Sequence, residues 1–327
     1  MMTPRHRAAL IGCGDISAVH LAGILACGSE LVALCDTDPA RLAAAAPALT
    51  AIERVSDHRA LLGRDDVDVV HVVTPHDQHV PVALDFIGQR TPVLIEKPLA
   101  ASLAEAERLV AATASAGARV GVTYQNRYNA TSRAAKELIT SGRFGRVTQA
   151  LGRVLWHRTA DYYRARPWRG TWDGSGGGVL INQAIHTIDL VQWLVGDVVD
   201  ATGMWGTYGL ADTIEVEDTA TVAMTHASGV RSVLLATNLN PTNDPPMIEI
   251  ALEGGTLRLG HELVITAADG TTETITESRT ATGARSYWGA SHGDLIADFH
   301  RDLTGEFWIN PAEAYKSLWI LKQVLGR

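Results

Sequence analysis

The chain has 327 residues and a formal net charge of −8, and 46% of its residues are hydrophobic and 20% charged. This length is sufficient for two domains that each bury a core of their own. The negative charge and the scattered basic residues argue against a nucleic-acid partner, because binding to phosphates needs clustered Lys and Arg. No apolar run is long enough to span a membrane and no secretory leader is recognisable, so we expect a cytoplasmic protein without a membrane partner.

The first motif is Gly12-Cys13-Gly14, which follows a short apolar run and precedes an apolar helical pattern. This order predicts a strand, a tight turn and a helix. The first glycine permits the turn and the second keeps side-chain atoms away, so that backbone N–H groups at Asp15 and Ile16 can face a diphosphate. An ordinary strand-to-helix turn is the alternative interpretation. We expect the thiol of Cys13, inside this loop, to have a lowered pKa.

The next predicted strand, residues 31–35, ends at Asp36. A carboxylate at this place accepts hydrogen bonds from the ribose hydroxyls of a dinucleotide and repels a 2′-phosphate. We therefore expect NAD as the cofactor, with NADP as an alternative. The competing interpretation of Asp36 is a solvated strand end before a turn.

Strands and helices alternate up to residue 124, a rhythm typical of a doubly wound parallel α/β sheet with helices on both faces. Helices are predicted at residues 41–48, 57–62, 80–87 and 103–116, and strands at residues 68–74, 92–95 and 119–123. Ligands bind such sheets beyond the carboxyl ends of the strands. The groups at those ends are Gly12–Gly14, Asp36, Thr74-Pro75, Glu96-Lys97 and Tyr124-Gln125.

After residue 127 the pattern changes to alternating strands joined by hairpin turns, with helices at residues 130–141, 179–194 and 311–325. The predicted strands are residues 146–156, 201–208, 219–226, 229–238, 248–252, 256–259, 262–267 and 271–276. They predict an α+β domain with a large, mostly antiparallel open sheet, whose uncovered face pairs with another copy in a homodimer or homotetramer. Residues 280–293 are predicted to be a polar loop. The predicted domains are 1–124, which binds the dinucleotide, and 125–327, which binds the substrate and forms the oligomer.

Glu96-Lys97-Pro98 follows a buried strand, where charged residues are costly unless they are used or paired. Pro98 fixes the backbone direction, so Lys97 could polarise or deprotonate a substrate hydroxyl. A structural ion pair at the strand end is the alternative.

The second half contains Gly176-Gly177-Gly178, followed by Asn182, His186 and Asp189 at spacings that place these three on one helix face. A histidine on a rigid helix suits general acid/base catalysis, and Asp189 could orient its ring. A structural histidine and a capping role for Asn182 are the alternatives. A metal site that also uses His76 or His79 is disfavoured, because no three ligands share a diagnostic spacing.

The segment from Trp156 to Trp172 is rich in aromatic rings, Arg and His, including Tyr163, Trp168 and Arg169. Flat rings and multidentate donors suit a polyhydroxylated ring such as a sugar or cyclitol. A subunit contact uses the same residue types and is the alternative.

Together these stretches resemble the Gfo/Idh/MocA oxidoreductase family, the group of inositol, glucose and related sugar dehydrogenases. The ordered motifs that carry the resemblance are Gly12-Cys13-Gly14 with Asp36, Thr74-Pro75 with His79, Glu96-Lys97-Pro98, Gln125-Asn126-Arg127, and the glycines leading to His186-Thr187-Ile188-Asp189. The resemblance implies an N-terminal Rossmann domain, a C-terminal domain whose open sheet serves oligomerisation, and NAD(P) chemistry on a secondary alcohol. Lys97 and His186 match the family's lysine and histidine. Many relatives have Asp where this chain has Asn182, and an amide cannot accept a proton.

We therefore expect a dehydrogenase or ketoreductase that transfers a hydride between NAD(H) and a sugar, sugar derivative or cyclitol. The alternatives are a lyase or glycoside-cleaving enzyme that uses transient oxidation, and a non-catalytic nucleotide-responsive binding protein. The expected catalytic residues are Lys97, His186 and Asn182. The expected cofactor ligands are Gly12, Cys13, Gly14, Asp15, Ile16, Asp36, Thr74, Pro75, His79, Glu96, Lys97 and Gln125. The expected substrate ligands are Arg127, Tyr163, Trp168, Arg169, Asn182 and Asp189, and no metal is expected.

Overall fold

The chain folds into two units, which are described separately here. The computed structural model describes residues 5–277 and 291–327. The first unit contains the described residues up to Gln125 together with Ser291–Tyr315, and the second contains the described residues from Asn126 together with Lys316–Arg327. The predicted loop at 280–293 lies mostly outside the described residues.

The first unit is built on a parallel sheet of six strands, counted over the described residues, in the order β3-β2-β1-β4-β5-β6. The strands are β1 (Arg7–Ile11), β2 (Glu30–Cys35), β3 (Glu53–Val55), β4 (Val69–Val72), β5 (Val93–Ile95) and β6 (Val120–Val122). The central strands β4 and β5 are buried along their whole length, as continuous apolar runs in a doubly covered sheet should be. This strand order is that of a Rossmann fold.

Helices cover the faces of this sheet. They are α1 (Ser17–Ala26), α2 (Pro39–Ala44), α3 (His76–Ile87), α4 (Leu103–Ala116) and α9 (His292–Arg301). Helix α4 has the bounds that the sequence predicts, because Ser102 caps its first turn and Gly117 ends it in the left-handed conformation. The predicted helix at 57–62 is a single 3₁₀ turn, His58–Leu61, and β3 was not predicted.

Helix α9 explains why the predicted second domain, residues 125–327, differs from the observed division. It packs against α1 within the first unit. The contact is close, since a Cβ atom at Gly23 would lie 2.5 Å from Cδ1 of Ile296. Residues Ser291–Tyr315 therefore return to the first unit after the chain has built the second.

The second unit contains a sheet of eight strands, counted over residues 126–277 and 316–327, in the order β14-β13-β12-β11-β7-β10-β9-β8. Only the β7–β10 pair in this set is parallel. The strands are β7 (Val147–Leu155), β8 (Val198–Gly206), β9 (Thr219–His226), β10 (Arg231–Thr237), β11 (Met247–Leu252), β12 (Gly255–Leu259), β13 (Glu262–Ala267) and β14 (Thr272–Thr276). The large, mostly antiparallel sheet is thus as the sequence predicts.

Alternation along these strands gives the sheet two different faces. Helices α5 (Ala130–Ser141) and α8 (Ile185–Val195) pack on one face. On β7, β8 and β10 the outward positions carry large apolar side chains, with Leu151 49%, Met204 73% and Val233 47% exposed. A single chain therefore leaves a wide apolar surface in contact with water.

The remaining helical segments are α6 (Ala160–Arg164), α7 (Trp172–Ser175) and α10 (Pro311–Leu325), whose last turns belong to the second unit. The predicted helix at 179–194 is interrupted at its start, because Leu180–Ala184 forms a π-helical turn before α8. Such turns are rare and are frequently found at functional sites. Among the described residues, no helix has the length and apolarity to cross a bilayer.

Candidate active site

The Gly12-Cys13-Gly14 loop of the first unit has an open side. Gly12 adopts φ +102°, and a Cβ atom there would lie 2.6 Å from the carbonyl oxygen of Val73, so only glycine fits. A Cβ atom on Gly14 would meet nothing within 4 Å. No described side chain caps the following helix α1 at Ile16. The loop therefore offers bare backbone at a helix N-terminus, which suits a diphosphate.

Asp36 is fixed beside this loop by backbone donors. Its Oδ2 accepts the N–H of Cys13 at 2.7 Å and its Oδ1 accepts the N–H of Asp38 at 2.8 Å. Burial and the charge of Asp36 raise the pKa of the Cys13 thiol to about 11. This finding corrects the expectation of a lowered pKa, because burial disfavours the thiolate and the nearby carboxylate of Asp36 adds to that effect.

Two buried polar atoms support a cofactor at the carboxyl edge of this sheet. Oγ1 of Thr74, after β4, and Oε1 of Gln125, after β6, have no hydrogen-bond partner among residues 5–277 and 291–327. Buried polar atoms usually find a partner, so such atoms indicate a polar ligand. Together with the open loop and Asp36, they fit a nicotinamide dinucleotide.

His79 supports this edge from within and is not placed as a cofactor ligand, contrary to the prediction. Its ring is 1% exposed, with Nδ1 2.7 Å from the carbonyl oxygen of Pro98 and Nε2 2.9 Å from that of Thr74. Burial lowers its pKa. A neutral imidazole has one N–H, so the ring donates to one of these carbonyl oxygens at a time while it lies between the segment after β4 and the segment after β5.

Glu96 is also directed into the first unit, which corrects its assignment as a cofactor ligand. Its Oε1 accepts a hydrogen bond from Nε2 of His20 at 2.8 Å and lies 3.8 Å from Nε2 of His292. Burial alone would raise the pKa of Glu96, but the hydrogen bond from His20 and the charges of His20, His292 and Lys97 lower it to about 2. Half-buried Lys97, joined to Pro98 by a cis peptide bond, thus lies beside an ionised carboxylate.

In the second unit, His186 is half-buried near the start of α8, directly after the π-helical turn that carries Asn182. The amide nitrogen of Asn182 donates to Oγ of Ser175 at 2.8 Å, and it lies 3.2 Å from the carbonyl oxygens of both Gly177 and Gly178. Asn182 therefore holds the glycine turn in place. This positioning role differs from the catalytic role that the sequence predicts, and a contact with substrate would have to use the amide oxygen.

Glu217 anchors the same turn and was missed by the sequence analysis. It is fully buried and accepts the N–H groups of Gly178 at 2.8 Å and of Leu180 at 3.0 Å. Burial raises its pKa to about 7, against the opposing effects of these N–H groups and of Lys322. Lys322 donates to the carbonyl oxygen of Gly176 at 2.6 Å, and burial lowers its pKa to about 8. Three successive glycines were the only sequence signal that something packs closely there.

Arg127 and Asp189 form a buried ion pair with each other, which corrects their assignment as substrate ligands. Each side chain is 1% exposed, and the guanidinium binds both carboxylate oxygens, at 2.8 and 2.7 Å. Ser317 also donates to Asp189, at 2.9 Å. Asp189 is therefore held by Arg127 and Ser317. Within the described ranges, no group of three His, Cys, Asp or Glu side chains is placed to hold a metal ion.

The aromatic segment divides into buried and accessible parts. Tyr163 is 2% exposed, packs with Ile214 and Val216, and accepts a hydrogen bond from the amide of Asn238 at 2.9 Å. Tyr163 is therefore a core residue, and its burial argues against the predicted role as a substrate ligand. Trp168 and Arg169 are half-buried.

Comparisons with known proteins agree with this geometry. Residues 6–124 match the oxidoreductase family with an NAD-binding Rossmann fold, and residues 132–258 match the GFO/IDH/MocA C-terminal domain. D-apiose dehydrogenase of Paraburkholderia graminis is 33% identical over 291 residues, which cover 86% of this chain and 73% of that protein.

Solved structures extend the similarity to the full length. The WlbA dehydrogenase from Bordetella pertussis, in complex with NADH and UDP-GlcNAcA, is 32% identical with a TM-score of 0.82 and covers 99% of this chain and 96% of its own. Levoglucosan dehydrogenase, in complex with NADH and levoglucosan, has a TM-score of 0.88 and covers 99% of this chain and 97% of its own, but its 21% identity supports the fold alone. These matches confirm the predicted fold, the NAD-binding domain and the enzyme class. The chain belongs to the Gfo/Idh/MocA family of NAD-binding oxidoreductases.

Proposed function

We propose that this protein is an NAD-dependent dehydrogenase or ketoreductase of a sugar, sugar derivative or cyclitol. The observation that carries the proposal is half-buried Lys97 beside ionised Glu96, at the same sheet edge as the open glycine loop and Asp36. Two relatives above 30% identity, named as a D-apiose dehydrogenase and as a dehydrogenase bound to UDP-GlcNAcA, support a carbohydrate substrate.

In this proposal, NAD⁺ supplies the hydride acceptor when it is bound. Lys97 stabilises the alkoxide that develops on the substrate oxygen, because a partly buried cation interacts more strongly with a nearby anion than an exposed one does. His186 takes the hydroxyl proton as the general base. The anchoring of the preceding turn by Glu217 and Asn182 keeps the histidine in a defined place.

Asp36 sets the preference for NAD in this proposal. Its carboxylate is held in place by two backbone N–H groups, so it cannot turn away from a ribose placed at the loop. A 2′-phosphate would meet this negative charge, and NADP is therefore the poorer cofactor.

We further propose that the apolar sheet face, represented by Leu151, Met204 and Val233, is covered by a second copy in a homodimer or homotetramer, and that the protein is cytoplasmic. Uncovered apolar surfaces of this extent are unusual on monomers. Light scattering coupled to size-exclusion chromatography would show the assembly, and a monomer would contradict it.

The dehydrogenase proposal is tested by incubating the purified protein with NAD⁺ and a panel of aldoses, apiose, inositols, anhydrosugars and nucleotide-linked uronic acids, and following NADH absorbance. We expect NADH formation with at least one of them. Substrate loss without net NADH would indicate the lyase alternative. Cofactor binding without turnover across the panel, in either direction, would favour a non-catalytic binding protein.

A further inference from the structure

The described part of the first unit contains a hydrogen-bonded row of buried imidazoles that the mechanism above does not use. His20 Nε2 lies 2.8 Å from Oε1 of Glu96, and its Nδ1 lies 2.8 Å from Nδ1 of His71. Nε2 of His71 lies 2.8 Å from Nε2 of His300, and Nδ1 of His300 lies 2.9 Å from Oγ of Ser29. We call these five residues the histidine chain.

The histidine chain runs along one face of the Rossmann sheet, from the carboxyl ends of its strands to their amino ends. Glu96 directly follows β5 at the carboxyl edge, and Ser29 directly precedes β2 at the amino edge. The three imidazoles, from α1, β4 and α9, are each 0% exposed. Ser29 is 5% exposed and lies between the exposed residues Gly28 and Glu30. The histidine chain therefore links the sheet edge that carries Lys97 with the protein surface at the amino ends of the strands.

The hydrogen bonds define a consistent set of tautomers. Glu96, with its pKa lowered to about 2, is ionised and must accept from Nε2 of His20. Burial lowers the pKa of His71 well below its usual value and that of His300 to about 3, so both are neutral. When His20 carries a proton on Nε2 alone, the Ser29 hydroxyl donates to His300, His300 to His71 and His71 to His20. Every donor in the chain points toward Glu96.

The same chain can move a proton without moving any heavy atom. A proton that arrives on Nδ1 of His300 releases the Nε2 proton to Nε2 of His71, and His71 releases its Nδ1 proton to Nδ1 of His20. His20 is then an imidazolium beside the Glu96 carboxylate. His71 and His300 are neutral again, each in its other tautomer. One proton has moved from the amino ends of the strands to their carboxyl ends.

The charges around the histidine chain favour the passage of a proton over its retention on a middle ring. Arg119 acts on the His300 end, and Lys97 acts near Glu96. The positive charges of Arg119 and Lys97, together with burial, oppose an extra proton in the middle, and Glu96 attracts it to one end.

We propose that the histidine chain is a proton path between solvent at Ser29 and the Glu96–Lys97 edge of the site. The proposal rests on the proposed function, because oxidation of an alcohol releases one proton for each hydride transferred and reduction of a ketone consumes one. The His20 imidazolium holds the transferred proton against the Glu96 carboxylate, at the edge of the site where Lys97 lies.

The experiment measures how fast the Nε2 proton of His20 is replaced by deuterium, by NMR on protein with ¹⁵N-labelled histidines and without cofactor or substrate. In the His71→Gln variant the amide can accept from one neighbour and donate to the other, but it cannot pass a proton on. We expect exchange at His20 to slow by about tenfold or more. His226→Gln is the matched control. His226 is similarly buried in the second unit, where its ring nitrogens contact Gly196 and Ser232, and it is not part of the histidine chain.

An unchanged exchange rate in a folded His71→Gln protein would overturn the proton path. If that variant does not fold, Ser29→Ala decides, because it removes only the hydroxyl at the surface end and should also slow exchange. The exchange measurement needs no turnover, so a failed dehydrogenase assay does not affect its result. In the same way, an unchanged exchange rate at His20 would not contradict the dehydrogenase proposal. Once a substrate is known, His71→Gln should lower kcat with KM retained. A kcat equal to that of the wild type would overturn the use of the path in turnover.

Discussion

Gly12–Gly14 in the first unit and Gly176–Gly178 in the second are both glycine-rich turns that lead into a helix, yet their surroundings differ. A Cβ atom on Gly14 would project into open space, whereas one on Gly178 would lie 1.8 Å from the carbonyl oxygen of Glu217. The first turn leaves its backbone accessible to a ligand. The second turn is packed against the side chains of Glu217, Asn182 and Lys322. Glycine therefore serves ligand binding in the first turn and close packing in the second.

The largest effect is therefore expected for Gly178→Ala. The backbone of Glu217 cannot retreat without breaking the hydrogen bonds that anchor the turn, so we expect a loss of more than about 4 kcal/mol in the free energy of unfolding. Urea denaturation measures it.

Gly14→Ala is the matched control for that substitution. It should keep the wild-type stability and weaken NAD binding by about tenfold, because the methyl group occupies the diphosphate side of the loop. Equal stability of the two variants would contradict the distinction between the turns.

A second test uses the buried pair Arg127 and Asp189. Asp189→Ala leaves the buried guanidinium of Arg127 without its carboxylate. We therefore expect the free energy of unfolding to fall by about 3 to 5 kcal/mol. The double variant Arg127→Met, Asp189→Leu should recover much of it. If Asp189→Ala raised KM without changing stability, the original assignment of both residues to the substrate would be restored.

A smaller, pH-dependent effect is expected from Glu217. Its pKa rises from 4.5 in the unfolded chain to about 7 in the folded protein, so folding favours the protonated carboxyl. Its contribution is complete below the unfolded pKa and is lost as the pH rises through about 7. Relative to a Glu217→Gln variant, the wild type should lose about 3 kcal/mol of its free energy of unfolding as the pH rises from 4.5 to about 7. Urea titrations at several pH values test this, and a difference that is constant with pH would contradict it.

The smallest effect concerns the cofactor. Asp36→Ala removes an acceptor for ribose hydroxyls and a charge that repels a 2′-phosphate, so the preference for NAD over NADP should fall by about tenfold, or about 1.4 kcal/mol. Binding titrations with both cofactors measure the ratio. An unchanged ratio would show that Asp36 does not contact the ribose.

The sequence predicted the first unit better than the second because its signals are local. The strand–Gly-x-Gly–helix order and Asp36 need only neighbouring residues, and helix α4 is defined by Ser102 and Gly117 at its ends. Helix α9 was missed although its buried residues Leu295, Ile296, Phe299 and His300 follow a helical period. Its place in the first unit could not be read from a local pattern, since its partner α1 lies far away in the chain.

The site residues in the second unit show the limit more clearly. Spacing alone predicted Asn182, His186 and Asp189 on one helix face. Asn182 lies in the π-helical turn before α8, and spacing could not show which other groups each side chain meets. Asp189 is paired with Arg127, and Tyr163 with Asn238, through contacts distant in sequence. Glu217 and Lys322 had no recognisable signal, because a buried charged residue is identified only when the fold places partners around it.

The central claim of the proposed function is that Lys97 and His186 both act in one hydride-transfer reaction. The most direct measurement is kcat/KM for the wild type, Lys97→Met, His186→Gln and the double variant, with NAD affinity as the control for folding. Each single substitution should lower kcat/KM by about 100-fold or more, and the double variant should be little slower than the slower single variant. A single variant that retains wild-type kcat/KM, or losses that multiply in the double variant, would contradict the account.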